Sequence, residues 1–168
     1  MLFGLRERFG IEIGGLEVAE SKCLAQFRFW VAGEALGDWQ DRILLAGSIE
    51  YATMFVQRQE IRERSEVKQE NALEIFYKYY EWYYCVDNEL IHDLYDYRDI
   101  FHMDDIGMSS LQDKYGIILV PNCSGSMSLV VKRFKDEFIF DQSLRKGEAE
   151  DALIEYIQFY KNLLNCPY

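Results

Sequence analysis

Apolar and polar positions alternate through FGIEIG at 9–14 and, more loosely, through LAQFRFWV at 24–31. A period of two sends successive side chains to opposite faces, so both runs predict half-buried strands. Gly14 and Gly15 stand between them and Gly33 after them, which predicts an antiparallel pair. From Ser48 the period lengthens. Tyr51, Met54, Phe55 and Ile61 recur at helical spacing up to about residue 64, with Ser48 as the cap. The polar run QRQEIRERSE at the end of that helix predicts a solvated face or a helix junction. A second helix is predicted over 66–84, with Ala72, Ile75, Phe76, Tyr79, Trp82 and Tyr83 on one face and Glu74 paired with Lys78 on the other. A third, shorter helix begins after Asp87 or Asn88 and turns Leu90, Leu94 and Tyr97 inward.

Beyond it, YGIILVP (115–121) and MSLVVKRF (127–134) are β-rich runs separated by the turn-forming NCSGS, and EFIFD (137–141) adds a short strand after a turn at Lys135 and Asp136. The chain then shows its clearest helix, with Leu153, Tyr156, Ile157, Tyr160 and Leu164 on one stripe and Glu148, Glu150 and Asp151 at the positive end of the dipole. Hairpins near both ends with about four helices among them predict an α+β fold, its sheet antiparallel or mixed. A length of 168 residues fits one domain, 1–168.

A composition that is 49% hydrophobic excludes disorder for most of the chain. Twenty-nine acidic against 18 basic residues give a net charge of −11, which removes any broad attraction to a phosphate backbone, so nucleic acid is not an expected partner. No apolar run approaches the ~20 residues of a membrane-spanning helix, and the early Arg6 argues against a secretory signal. A cytoplasmic protein with no membrane partner is expected, its four scattered cysteines (Cys23, Cys85, Cys123, Cys166) reduced.

The sequence contains no G-x-G-x-x-G, G-x-x-x-x-G-K-[ST], G-x-S-x-G or H-E-x-x-H, and no cofactor is expected. One constellation resembles a metal site: on a helix His92, Asp96 and Asp99 share a face at i, i+4 and i+7, with His102 nearby, so a metal-dependent enzyme is one alternative reading. The plainer reading of the same residues is a solvated acidic face.

Charge is distributed unevenly. Residues 85–105 hold seven acids and one base, more than half of the net charge, and seven of the twelve tyrosines lie between 77 and 97. Carboxylates steer a basic partner and tyrosines supply contact area with a hydroxyl that stays hydrogen-bonded. Tyr79, Trp82 and Tyr83 are expected in the core; Tyr77, Tyr84, Asp87, Glu89, Asp93, Asp96 and Asp99 are the candidate partner-binding residues. Exposed tyrosines would serve a homodimer equally well, and a general acidic adaptor is a further alternative.

Three segments, MLFGLRERFGIEI at the start, FRFWVAGEALGD at 27–38 and FHMDDIGMSSLQDKYGIILV at 101–120, resemble the bacterial polymorphic-toxin immunity protein family numbered 42. The resemblance implies a small cytoplasmic protein, encoded beside a secreted or contact-delivered toxin, that binds the toxin's C-terminal domain and neutralises it. A basic nuclease toxin is compatible with the acidic balance. The family brings no catalytic motif. Within these segments Phe29 and Trp30 are expected to pack in the core, Gly33, Gly37 and Asp38 to form turns, and Asp104, Asp105 and Gly107 to cap a turn leading to a short helix, with Asp113 anchoring the connection.

Overall fold

The computed structural model describes residues 1–19, 22–65, 71–77, 80 and 100–165. Its N-terminal part is an antiparallel sheet of β1 (Leu2–Gly4), β2 (Phe9–Ala19), β3 (Lys22–Val31), β4 (Glu34–Leu36) and β5 (Arg42–Leu44). The order is β1-β2-β3-β4, and β5 pairs with the early half of β3. The expected pair is thus the centre of a larger sheet, and a register shift between Gly14 and Glu17 marks where the alternation breaks.

Along β3 every second residue (Cys23, Ala25, Phe27, Phe29, Val31) is buried and those between are not. Trp30 is one of the latter, which corrects the expectation that it joins Phe29 in the core: adjacent strand residues point to opposite faces. On the outer face its indole donates to Glu12 at 2.7 Å, and Glu12 also accepts from Arg6 at 2.9 Å and Arg28 at 2.8 Å. The Arg28 guanidinium lies between two indoles, 4.8 Å from the Trp30 ring and 4.2 Å from the Trp39 ring. Burial opposes the charge on Glu12, but the bonds from Trp30 and Arg28 outweigh it and hold its pKa below the usual carboxylate range. Ala32 and Gly33, at φ +52° and +85°, make the two-residue turn into β4, a conformation that suits the twist of a hairpin.

Helix α1 (Leu45–Gln57) begins three residues before Ser48, so Ser48 does not cap it. The hydroxyl has other partners: it donates to the Ile106 carbonyl at 2.6 Å and accepts from the Tyr156 hydroxyl at 2.9 Å, wholly buried. Leu45, Ile49, Ala52 and Phe55 line the inner face, whereas Tyr51 and Ile61 are exposed. At Arg58 the chain leaves α1 and α2 (Gln59–Arg64) follows, so the polar run is a helix junction. Arg62 is buried there. Its Nη1 donates to the carbonyls of Phe55 (3.2 Å) and Ile100 (2.6 Å), and its Nη2 donates to Glu150 Oε1 (2.5 Å).

Helix α3 (Ala72–Phe76) precedes a 3₁₀ segment (Asp104–Ser110), then β6 (Tyr115–Pro121), β7 (Met127–Arg133), β8 (Phe138–Leu144) and α4 (Glu148–Leu164). Strands β6, β7 and β8 form a second antiparallel sheet in that order, so the class is α+β with the two hairpin groups in separate sheets. Apolar side chains cover both faces of β6 and β7, which explains the unbroken run YGIILVP, while β8 is more open. Ile117, Leu119, Leu129 and Val131 share a core with Phe27, Phe55 and Tyr156. Ile118, Val120 and Val130 face Phe76 and Phe101. On α4, Leu153, Tyr156 and Ile157 are buried as the stripe predicts, but Leu164 is 62% exposed, because the last turn runs past the core. Among the described residues no helix is long and apolar enough to cross a membrane.

The Arg62–Glu150 pair yields a stability test. Arg62→Met leaves a buried carboxylate without its cation and should cost about 3–5 kcal/mol, whereas adding Glu150→Leu should recover most of that loss. Urea denaturation of the single and double variants measures both.

Candidate functional site

The described part of the candidate segment begins at Asn71. Its side chain accepts from the Glu74 N–H at 3.0 Å while the Glu74 carboxylate accepts from the Asn71 N–H at 3.2 Å, a reciprocal capping box that starts α3 at Ala72. The helix therefore starts later than the expected residue 66, and Glu74 serves the cap. Ile75 and Phe76 are buried and Tyr77 is 41% exposed, as their places on the helix suggested. The Tyr77 ring meets Phe76 edge-on at 6.5 Å, and Lys132 Nζ sits 4.9 Å from the Tyr77 ring and 5.5 Å from that of Phe76. Glu137 lies 3.4 Å from the same ammonium. Tyr77 is thus a surface aromatic fixed by a largely buried cation beneath it.

Tyr80 reaches the other way. It stacks on Phe76 at 4.6 Å and on His102 at 4.8 Å, and its hydroxyl donates to Asp104 Oδ2 at 3.3 Å. This stack lies directly on β6 because residue 116 is glycine: a Cβ there would meet Phe76 at 2.5 Å and Tyr80 at 2.8 Å. His102 Nδ1 is 3.9 Å from Asp104 Oδ1, both side chains all but inaccessible, and Gln112 donates to Asp105 at 2.5 Å. Burial, with the neighbouring charge of Asp105, pushes the Asp104 carboxyl up to about 7. Two of the seven acids counted between 85 and 105 are therefore interior groups, not surface charge.

Of the candidate partner-binding residues, Tyr77 alone falls within the described residues; Tyr84, Asp87, Glu89, Asp93, Asp96 and Asp99 lie outside them, as do His92, Tyr79, Trp82, Tyr83 and the helix expected after Asp87. Among the described residues no group of three or more His, Cys, Asp and Glu side chains is arranged to hold a metal ion. His102 is engaged with Tyr80 and Asp104 in the interior, an arrangement suited to holding α3 against β6 rather than to meeting a substrate. The residues that sequence reasoning missed here are Lys132 and Glu137. An ammonium expected on the solvent side of a strand gives no sign that two aromatic rings cover it.

The model of one family, immunity protein 42, matches residues 1–159. The chain belongs to the immunity protein 42 family. Its match runs unbroken across 40–97, the stretch left between the segments that carried the resemblance, so α1, α2, α3 and the tyrosine-rich region all lie inside the immunity protein pattern. No curated protein and no solved structure matches this immunity protein. Membership assigns a toxin-neutralising immunity role in general terms.

The interior carboxyl of this immunity protein sets a pH test. Asp104 holds its proton more tightly folded than unfolded, so the stability it contributes is complete below about pH 4 and is lost as pH rises through about 7. Asp104→Asn has no proton to lose. Its stability relative to wild type should be greater at pH 8 than at pH 5 by about 3 kcal/mol, read from urea denaturation at the two pH values.

Proposed function

We propose that this immunity protein neutralises a cognate toxin domain by stoichiometric, non-catalytic binding that blocks the toxin's activity, in the cytoplasm of a cell exposed to a contact-delivered toxin. The observation that carries this reading is the family match over residues 1–159. The net charge of −11 favours a toxin with a basic surface, as a nuclease has for its phosphate-rich substrate. Tyr77 and Tyr84 act as aromatic anchors and Asp87, Glu89, Asp93, Asp96 and Asp99 as the steering charge. Exposure of Tyr77 and the rigid cation beneath it support its part in this arrangement.

The test uses the toxin domain encoded in the neighbouring reading frame. Wild-type protein should bind it one to one and protect cells that express it. Steering by carboxylates makes association salt-sensitive, since the Debye length is about 8 Å at 0.15 M, while dissociation responds less. Replacing Glu89, Asp93 and Asp96 together by Lys should slow association by roughly tenfold, and Tyr77→Ala should speed dissociation with a loss of about 2 kcal/mol. Surface-immobilised binding at several salt concentrations separates the two rates; an unchanged association rate in the folded triple variant places the steering charge elsewhere.

A further inference from the structure

Between the two sheets the protein leaves an open groove of ≈ 330 Å³. Glu34, Ala35 and Leu36 of β4 form one wall. Tyr115, Phe138 and Phe140 of the second sheet form the other, with Arg133 among them. Phe138 is 52% exposed, the end of a row in which Tyr115, Arg133 and Phe138 stand opposite one another across β6, β7 and β8.

The β4 wall carries free main-chain groups. Because the Ala32–Gly33 turn has two residues, Val31 and Glu34 exchange both of their hydrogen bonds, the next pair, Trp30 and Ala35, exchanges none, and Phe29 and Leu36 exchange theirs again. The N–H and C=O of Ala35 therefore point away from β3, and no backbone hydrogen bond from the described residues reaches them. Natural sheets shield such edges with lysine, proline or a covering element. Here an aromatic wall faces the edge across an open space instead.

Charge selects the occupant. Arg133 is held by Asp136 through its Nε at 2.9 Å and its Nη2 at 2.6 Å, so its charge is matched within the protein. Glu34 has no ion pair among the described residues, and its field falls on Arg133 across the groove. The groove thus presents one carboxylate outside any ion pair beside an apolar, aromatic lining. A second copy pairing antiparallel through Ala35 would add a second Glu34 near the first and no cation to offset either. A cation-bearing partner segment matches both the rim and the net charge of −11.

We propose that an extended segment of the toxin adds as a strand to the β4 edge, bonds to the main chain of Ala35, seats a large apolar side chain against Phe138, Phe140 and Tyr115, and sets a lysine or arginine beside Glu34. Main-chain bonds then supply affinity and the aromatic wall supplies selectivity. This deepens the toxin-binding reading above and rests on it.

The probe is the purified toxin domain from the neighbouring reading frame. In the wild-type complex, hydrogen exchange at the Ala35 amide should slow by at least tenfold. Ala35→Pro removes that outward donor without touching the ladder to β3 and should weaken binding at least tenfold, as should Phe138→Ala and Glu34→Lys, with thermal unfolding close to wild type. If Ala35→Pro fails to fold, Phe138→Ala and the wild-type exchange measurement decide. A wild-type complex with unaltered Ala35 exchange and full-strength binding by folded Phe138→Ala overturns the groove while leaving toxin binding intact. Wild-type protein that dimerises without toxin and protects Ala35 in doing so makes a second copy the occupant and overturns it too. Absence of any wild-type complex sinks the binding reading, and this proposal with it.

Discussion

The Arg62 guanidinium is the constraint around which the rest of the protein is arranged. A cation that far from water needs partners, and three separate stretches of chain supply them to its two terminal nitrogens: the end of α1 through the Phe55 carbonyl, the approach to the 3₁₀ segment through the Ile100 carbonyl, and the first turn of α4 through Glu150. Burial lowers its pKa and Glu150 opposes that shift, so the charge survives only in this company. The bend between α1 and α2 follows, because Arg62 must turn inward while Ile61 stays outside. A second polar tie, Tyr156 to Ser48 to the Ile106 carbonyl, binds the same three stretches at another point.

Once residue 100 is anchored, the chain running from Phe101 into the 3₁₀ segment has little freedom. His102 bridges to Ile118 on β6, and its ring stacks with Tyr80 and, through it, Phe76. The aromatic stack is narrow enough to lie over Gly116 and carries α3 across the second sheet. Tyr77 reaches the surface as the next residue after a buried one, which is why its position is defined by the interior and not by its own contacts with solvent.

Sequence reasoning saw periodicity clearly and partnership poorly. Alternation marked 24–31 as a half-buried strand and Phe29 is buried there, although Trp30, expected beside it, lies on the other face; the stripe on α4 located Leu153, Tyr156 and Ile157, because burial of apolar side chains depends on local spacing. Ser48, Arg62 and Glu150 were misjudged or passed over because a polar residue looks the same whether it meets water or a distant chain segment. Ser48 is no cap, and Glu150, although it does stand in the acidic first turn of α4, also meets Arg62. Asp104 and Asp105, expected at a capped turn within the acidic stretch, are interior for the same reason. The start of α3 was legible after all: Asn71 and Glu74 carry the spacing of a capping box, obscured by the apolar positions around it. Tyr77 was placed by helical position, whereas the Ala35 edge depends on how two sheets sit together, which no local pattern encodes.

The outer face of the N-terminal sheet sets a limit on how this protein can diverge. Glu12 accepts from Arg6, Arg28 and Trp30 at once, and Arg28 is clasped between two indoles, so an exchange at Glu12 strands all three donors. Such a network drifts only by concerted change. Removing the one carboxylate would leave two guanidinium groups and an indole N–H competing for water on a crowded strand face, so Glu12 is the keystone of this side of the sheet.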